Sequence, residues 1–251
     1  MGHYVHDPQN IVSGTLKNSP LMQSNAKSID RWKRFWAKKS SPHNRSDAPD
    51  FVAEHGKELR ALFESRAPES VLEFGCGTGE LYTQLGFDNL RYCGVDFSET
   101  MLSEFRKNHP TAKLINSDAT AFKDGNFYDL IFLSGVVQYL NPLALECFFK
   151  NVQTMMKPSS ILVCATVPAK HQRAAFMRGE LVYPYWKPAS KIVRSYVSFL
   201  LKGSEIGYWY SLNEFRLVAE HSGMDVDIRG SSCYLYRFNA VLRKTDVLRN
   251  S

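Results

Sequence analysis

The chain has 251 residues, of which 44% are hydrophobic and 22% charged, and a formal net charge of +6. That length holds one complete α/β core but is short for two domains of ordinary size, and no apolar run approaches the roughly 18 residues of a membrane span. Five scattered cysteines without a CxxC pair argue against a disulfide framework or a zinc site, and the amino-terminal MGHYVHDPQNIVSGTLKNSP lacks the basic-then-apolar order of a secretory signal, so a cytoplasmic protein without a metal is expected.

Residues 1 to about 29 are rich in Ser, Asn, Pro and Gly and read as a loosely ordered arm. In SIDRWKRFWAKK, Ile29, Trp32, Phe35 and Trp36 fall at helical spacing, which predicts a short amphipathic cap helix. The domain boundary is placed there: arm and cap helix over 1–50, then one α/β domain over 51–251. That domain opens with FVAEHGKELRALFES, whose Phe51, Val52, Leu59, Leu62 and Phe63 share one helical stripe.

From Ser70 onward, short apolar runs alternate with helical segments, the pattern of a doubly wound parallel sheet. The predicted strands are SVLEFG from Ser70, RYCGVD from Arg91, AKLINSD from Ala112, YDLIFLS from Tyr128 and SILVCATVP from Ser160. Between them lie the helices GELYTQLG, SETMLSEFRKNH and PLALECFFKNVQTMMK, with a short turn near AFKDG. The rhythm then breaks. Residues 169–207 carry seven basic and two acidic side chains, hence most of the net charge, together with Tyr183, Tyr185, Trp186 and Tyr196. An insertion of that length inside a compact domain is more often functional than idle. Beyond it, SLNEFRLVAEHSG has capping-box spacing at Ser211 and Glu214 and a glycine stop at Gly223. MDVDIRGSS and YRFNAVLRK are close enough to pair antiparallel. The expected fold is α/β: a Rossmann-like, doubly wound, seven-stranded, mostly parallel sheet with an antiparallel edge hairpin.

In VLEFGCGTG an apolar strand ends on Glu73 and turns through Gly75, Gly77 and Gly79 into a helix. Glycines let backbone approach a ligand closely, and open α/β sheets bind ligands at the carboxyl ends of their strands. The third glycine comes one residue earlier than in the GxGxxG dinucleotide fingerprint, and Glu73 adds negative charge, which suits an ammonium and a sulfonium better than a pyrophosphate. The ExGxGxG run resembles motif I of class I S-adenosylmethionine (SAM) dependent methyltransferases. GVDFSETML resembles their second motif, NSDATAF their third, and YDLIFLSGVVQYL their fourth strand. The resemblance covers Phe51 to Pro168, with weaker similarity from Tyr210 to Lys244.

That resemblance implies SAM as cofactor, held at Glu73, Gly75, Gly77 and Gly79. It implies Asp96 on the ribose hydroxyls, Phe97 and Met101 flanking the adenine, Asp118 and the Ala119 amide at its amino edge, and Ser134 facing the methionine part. SGVV stands where methyltransferases of nucleic-acid bases carry a Pro-Pro-aromatic run, which favours a small-molecule acceptor over nucleic acid. Additions after the fifth strand and at the amino terminus cover the substrate in related enzymes, so the insertion at about 169–208 is read as a lid. Its aromatic and basic residues suit an aromatic, apolar or anionic acceptor, methylated on O or N. His171 and Tyr139 are the candidate catalytic residues, with His171 placed to act as a general base. Arg34 and Trp36 of the cap helix are candidates for closing over the methionine carboxylate. KIVRSYVSFLLK sets basic residues beside an apolar stripe, which keeps transient contact with a membrane surface open. Two other readings stay open: a nicotinamide-dependent Rossmann oxidoreductase and a catalytically inactive SAM-binding regulatory protein.

Overall fold

The computed structural model describes residues 49–178, 180–181 and 207–245. The arm, the cap helix with Arg34 and Trp36, and the insertion residues 182–206 lie outside the described residues. The elements run α1 (Pro49–Arg60), β1 (Ser70–Phe74), α2 (Glu80–Gln84), β2 (Arg91–Asp96), α3 (Glu99–Asn108), β3 (Leu114–Asn116), β4 (Tyr128–Ser134), α4 (Pro142–Gln153), β5 (Met156–Pro168), α5 (Arg173–Met177), α6 (Leu212–His221), β6 (Met224–Gly230) and β7 (Arg237–Lys244).

The seven strands form one sheet in the order β3-β2-β1-β4-β5-β7-β6. The first five pair in parallel, and β7 pairs antiparallel with both β5 and β6. Successive strand residues point to opposite faces, so each strand feeds two cores. On one face Leu59, Phe63, Phe87 and Phe105 cover Val71, Leu130, Phe132 and Val163. On the other, Leu145, Phe148, Phe149 and Phe215 cover Phe74, Ile131, Leu133 and Leu162. Each fully buried side chain of this size contributes roughly 1.5–3 kcal/mol. Truncating Phe132, with its ring 5.5 Å from that of Phe87, should cost about 3–5 kcal/mol.

Sequence reading and structure differ at the ends of three elements. The fourth predicted helix runs through Lys157, yet α4 stops at Gln153, because Met156 already pairs with Tyr128 at the start of β5 and its carbonyl accepts from Lys244 Nζ at 2.7 Å. Sheet pairing here overrides the helical preference of Met and Lys. The third strand is only Leu114–Asn116, and α1 ends at Arg60, with Leu62 and Phe63 in the turn that follows. The capping expected of Ser211 is present: its Oγ accepts the Glu214 N–H at 3.1 Å. The insertion leaves and returns at one place. The Lys170 N–H donates to the Tyr210 carbonyl at 2.7 Å, and the Tyr210 N–H to that of Pro168 at 2.9 Å. Among the described residues no helix is long and apolar enough to cross a membrane.

Candidate functional site

The glycine turn sits where β1 gives way to α2. Gly75, Gly77 and Gly79 all take left-handed backbone, with φ of 71°, 54° and 84°. A Cβ on Gly75 would stand 2.3 Å from a Val136 methyl, and one on Gly79 would stand 2.7 Å from the Phe105 ring, so side chains are barred by packing as well as by φ. The turn is tied to β2: the Gly75 N–H donates to the Val95 carbonyl at 2.7 Å, and the Gly77 N–H to Asp96 Oδ2 at 3.0 Å. Asp96 Oδ1 accepts the Ser98 N–H at 2.8 Å. One carboxylate thus fixes both the glycine turn and the start of α3, and its oxygens keep lone pairs for a diol. Burial holds the Asp96 carboxyl above its usual range, against the pull of the Ser98, Gly77 and Phe97 amides.

Glu73 is 3% exposed and accepts the Tyr92 O–H at 2.7 Å. Burial pushes its carboxyl up to about 7; the Tyr92 hydrogen bond opposes this and the charge of Asp96 adds to it. Tyr92 reaches Glu73 across Gly94, where a Cβ would come within 2.6 Å of the phenol oxygen. Two acids at adjacent strand ends, both carried away from water, form a place that a cation would stabilise.

The other expected cofactor residues lie on the same edge of the sheet. Phe97 is half-buried directly after β2. Met101, in the first turn of α3, is buried, and its sulfur lies 3.8 Å from where a Cβ on Gly77 would be. Asp118 follows β3 and shapes a turn, its Oδ1 accepting the Thr120 N–H at 2.8 Å and the Thr120 hydroxyl at 2.7 Å. Ala119 packs partly buried against the core. Ser134 ends β4, with its Oγ 3.1 Å from Thr166 Oγ1 of β5.

On the acceptor side, Tyr139 lies half-buried in the turn Val137–Tyr139 after β4, and His171 is exposed in the turn Lys170–Gln172 after β5. Phe176 of α5, Trp209 and Tyr236 form an aromatic cluster, with ring centroids 4.3 Å apart for Phe176 and Tyr236 and 5.5 Å for Phe176 and Trp209. Tyr210, just past the insertion, is a core residue: it is fully buried and its hydroxyl donates to the Leu140 carbonyl at 2.7 Å.

Several residues here carry no sequence signal. Thr166 takes left-handed backbone, φ 56°, in the irregular stretch where β5 meets β7. Its N–H donates to Asn239 Oδ1 at 2.8 Å, and its carbonyl accepts from Arg237. A second region lies against α1, where a cavity of about 560 Å³ is lined by Glu54, Lys57, Glu58, Arg229 and Cys233 among others. Glu58 accepts from Ser231 Oγ, the Ser232 and Cys233 amides and Asn239 Nδ2, at 3.0–3.2 Å. Burial works against it, yet bonds from His55, Cys233, Ser231 and Ser232 pull its carboxyl down to about 2. The fold brings one potential ligand atom each of His55, Glu58 and Cys233 within 4.8 Å of one another, a grouping the sequence reading did not find. The Glu58 oxygens in it are already engaged, and the group fastens α1 to the β6–β7 loop.

A Rossmann-like sheet with a glycine turn after its first strand and a buried acid closing its second is built to hold a nucleoside-bearing ligand at that edge. Residues 71–159 match the model of a family described as "Methyltransferase domain". A protein named malonyl-[acyl-carrier protein] O-methyltransferase, from Hahella chejuensis, is 24% identical over 161 residues, 62% of this chain and 57% of that protein. A trans-aconitate 2-methyltransferase from Acidovorax sp. is 30% identical over 118 residues, 45% of each. The chain spans 45% to 64% of the length of the relatives it matches. The fold is shared with a SAM-dependent methyltransferase from Clostridium acetobutylicum, at a TM-score of 0.57 and 13% identity over 76% of this chain and 92% of that one. It is shared also with the N-methyltransferase NodS from Bradyrhizobium japonicum, solved with S-adenosyl-L-homocysteine, at 0.56 and 15% over 87% and 100%. Residues 71–159 thus match a methyltransferase domain, and the chain shares the fold of SAM-dependent methyltransferases.

Proposed function

We propose that this protein transfers a methyl group from SAM to an oxygen of a small acceptor bearing a carboxylate. The observation that carries the cofactor half is the pair of buried acids, Glu73 and Asp96, under a glycine turn that leaves backbone exposed to a ligand. When bound there, SAM supplies a methyl carbon activated by its positive sulfur. The chain's own work is to hold the ribose at Asp96, to favour the positive charge through the buried acid Glu73, to exclude water, and to align the acceptor at the ends of β4 and β5 near Ser134.

The acceptor half is supported by the two relatives, whose printed names give malonyl and trans-aconitate substrates, both carboxylic acids. A carboxylate is already ionised at neutral pH. No proton has to be removed from it, so a base at His171 or Tyr139 is required only for a hydroxyl or amine acceptor. His171, exposed and past the end of β5, fits that secondary role.

The test is incubation with methyl-labelled SAM and trans-aconitate, malonyl-pantetheine, or alcohol and amine controls. Label released by mild base marks an ester and is the expected result; label only in the amine controls would overturn the oxygen assignment. Titration calorimetry with SAM and NAD accompanies it, and heat with NAD but none with SAM would overturn the cofactor assignment.

A further inference from the structure

Arg237 opens β7, opposite Pro168 at the end of β5. It is half-buried, and among the described residues it forms no salt bridge with a carboxylate. Among the described residues only Nη1 has hydrogen-bond partners: it donates to Gln138 Oε1 at 3.0 Å and to the Thr166 carbonyl. The guanidinium carbon lies 5.0 Å from the centre of the Tyr236 ring and 5.9 Å from that of Tyr234, so two rings and two hydrogen bonds fix its plane.

The unused donors, Nε and Nη2, point along one side of a planar fork, the side that matches the two oxygens of a carboxylate. A cation taken partly out of water without an acid partner is costly unless a ligand supplies one. The surroundings put that ligand at the acceptor end. Thr166, whose carbonyl Arg237 holds, has its hydroxyl 3.1 Å from Ser134, and Gln138 lies in the turn after β4. The aromatic cluster of Phe176, Trp209 and Tyr236 stands beside it.

We infer that Arg237 is the specificity-determining residue for the acceptor, binding a carboxylate through Nε and Nη2. The inference rests on the methyltransferase reading above and deepens it. Thr166 and Asn239 are positioning residues: Asn239 Oδ1 holds the Thr166 amide, and the left-handed Thr166 backbone turns its carbonyl to Nη1. The cost of that conformation for a β-branched residue is offset by the contacts that hold it.

The test uses the full chain saturated with S-adenosylhomocysteine, whose binding is measured first. Malonyl-pantetheine and trans-aconitate are then titrated against their methyl esters, which lack the charge. Wild type should bind each acid at least tenfold more tightly than its ester. Arg237→Gln, which keeps a donor for Thr166 and loses the charge, should bring that ratio near one, whereas Arg237→Lys should retain part of it, all with unchanged S-adenosylhomocysteine affinity. A wild-type ratio near one, or a ratio that survives in Arg237→Gln, would overturn the role of Arg237 while leaving the cofactor reading standing. Absence of S-adenosylhomocysteine binding in wild type would instead overturn the reading on which it rests. The wild-type ratio needs no variant to fold.

Discussion

Glu58 and Glu73 are both glutamates carried into the interior, and their surroundings differ. Glu58 accepts four hydrogen bonds from the β6–β7 loop and β7 and has its carboxyl drawn down to about 2, whereas Glu73 accepts one from Tyr92, faces Asp96 and is pushed up to about 7. The first is a finished structural contact. The second is a demand for positive charge that the protein itself leaves unmet, and it lies at the glycine turn. Difference in satisfaction, more than burial, separates the acid that holds the fold from the acid that serves a ligand.

The sharpest way to break that comparison is Asp96→Ala, which removes the charge, the tie to the glycine turn and the tie to the start of α3. Cofactor affinity measured by calorimetry should fall by about 100-fold, equivalent to roughly 2.7 kcal/mol, with the fold retained by circular dichroism. Unchanged affinity would mean that the buried acids are not the ligand-bearing ones. Next in size, Glu58→Gln should cost about 2 kcal/mol in urea unfolding at pH 7 and leave SAM affinity alone. The sign with pH follows from the lowered carboxyl. Its stabilisation is present above the ordinary 4.5 and is lost as pH falls towards about 2, so wild type and variant should converge in acid.

Glu73 works in the opposite sense. Because its folded carboxyl is raised, the ligand-free protein loses stability as pH rises from the ordinary 4.5 through about 7, and a bound cation offsets that loss. SAM affinity should therefore strengthen across pH 6 to 7.5 by several-fold. Glu73→Gln should flatten that rise and weaken binding about tenfold at pH 7.5; a parallel rise in the variant would assign the effect to the cofactor's own titration. The smallest expected effect is His171→Ala, under about twofold on turnover with a carboxylate acceptor. A larger loss would restore it to the mechanism as a base.

Much of the cofactor edge was legible in the chain because its parts are local. The boundaries of β2 and β4 follow from apolar runs closed by Asp96 and Ser134, and the end of β1 and the glycine turn are nine consecutive residues, VLEFGCGTG. What was not legible depends on pairings across long stretches of sequence. Arg237 looks like any strand-edge arginine until Pro168 is found opposite it, and Glu58 meets its partners more than 170 residues later. Asp118 shows how a motif residue can be doubly employed: the acid expected at the adenine also fixes the turn through Thr120. The overlong fourth helix failed for a related reason, since Met156 has a strand partner that no local pattern announces.

The reversed direction of β7 bears on how such a site can change over time. Parallel strands present only their final residues at the working edge, and in β1, β2 and β4 those positions are the ones proposed to hold the cofactor. An antiparallel strand presents its first residues there instead, so Arg237 and the loop before it come from a segment that follows the cofactor strands and shares no residue with them. Substitutions from Tyr234 to Asn239 could therefore exchange one acceptor for another while the methyl-donor half is inherited intact.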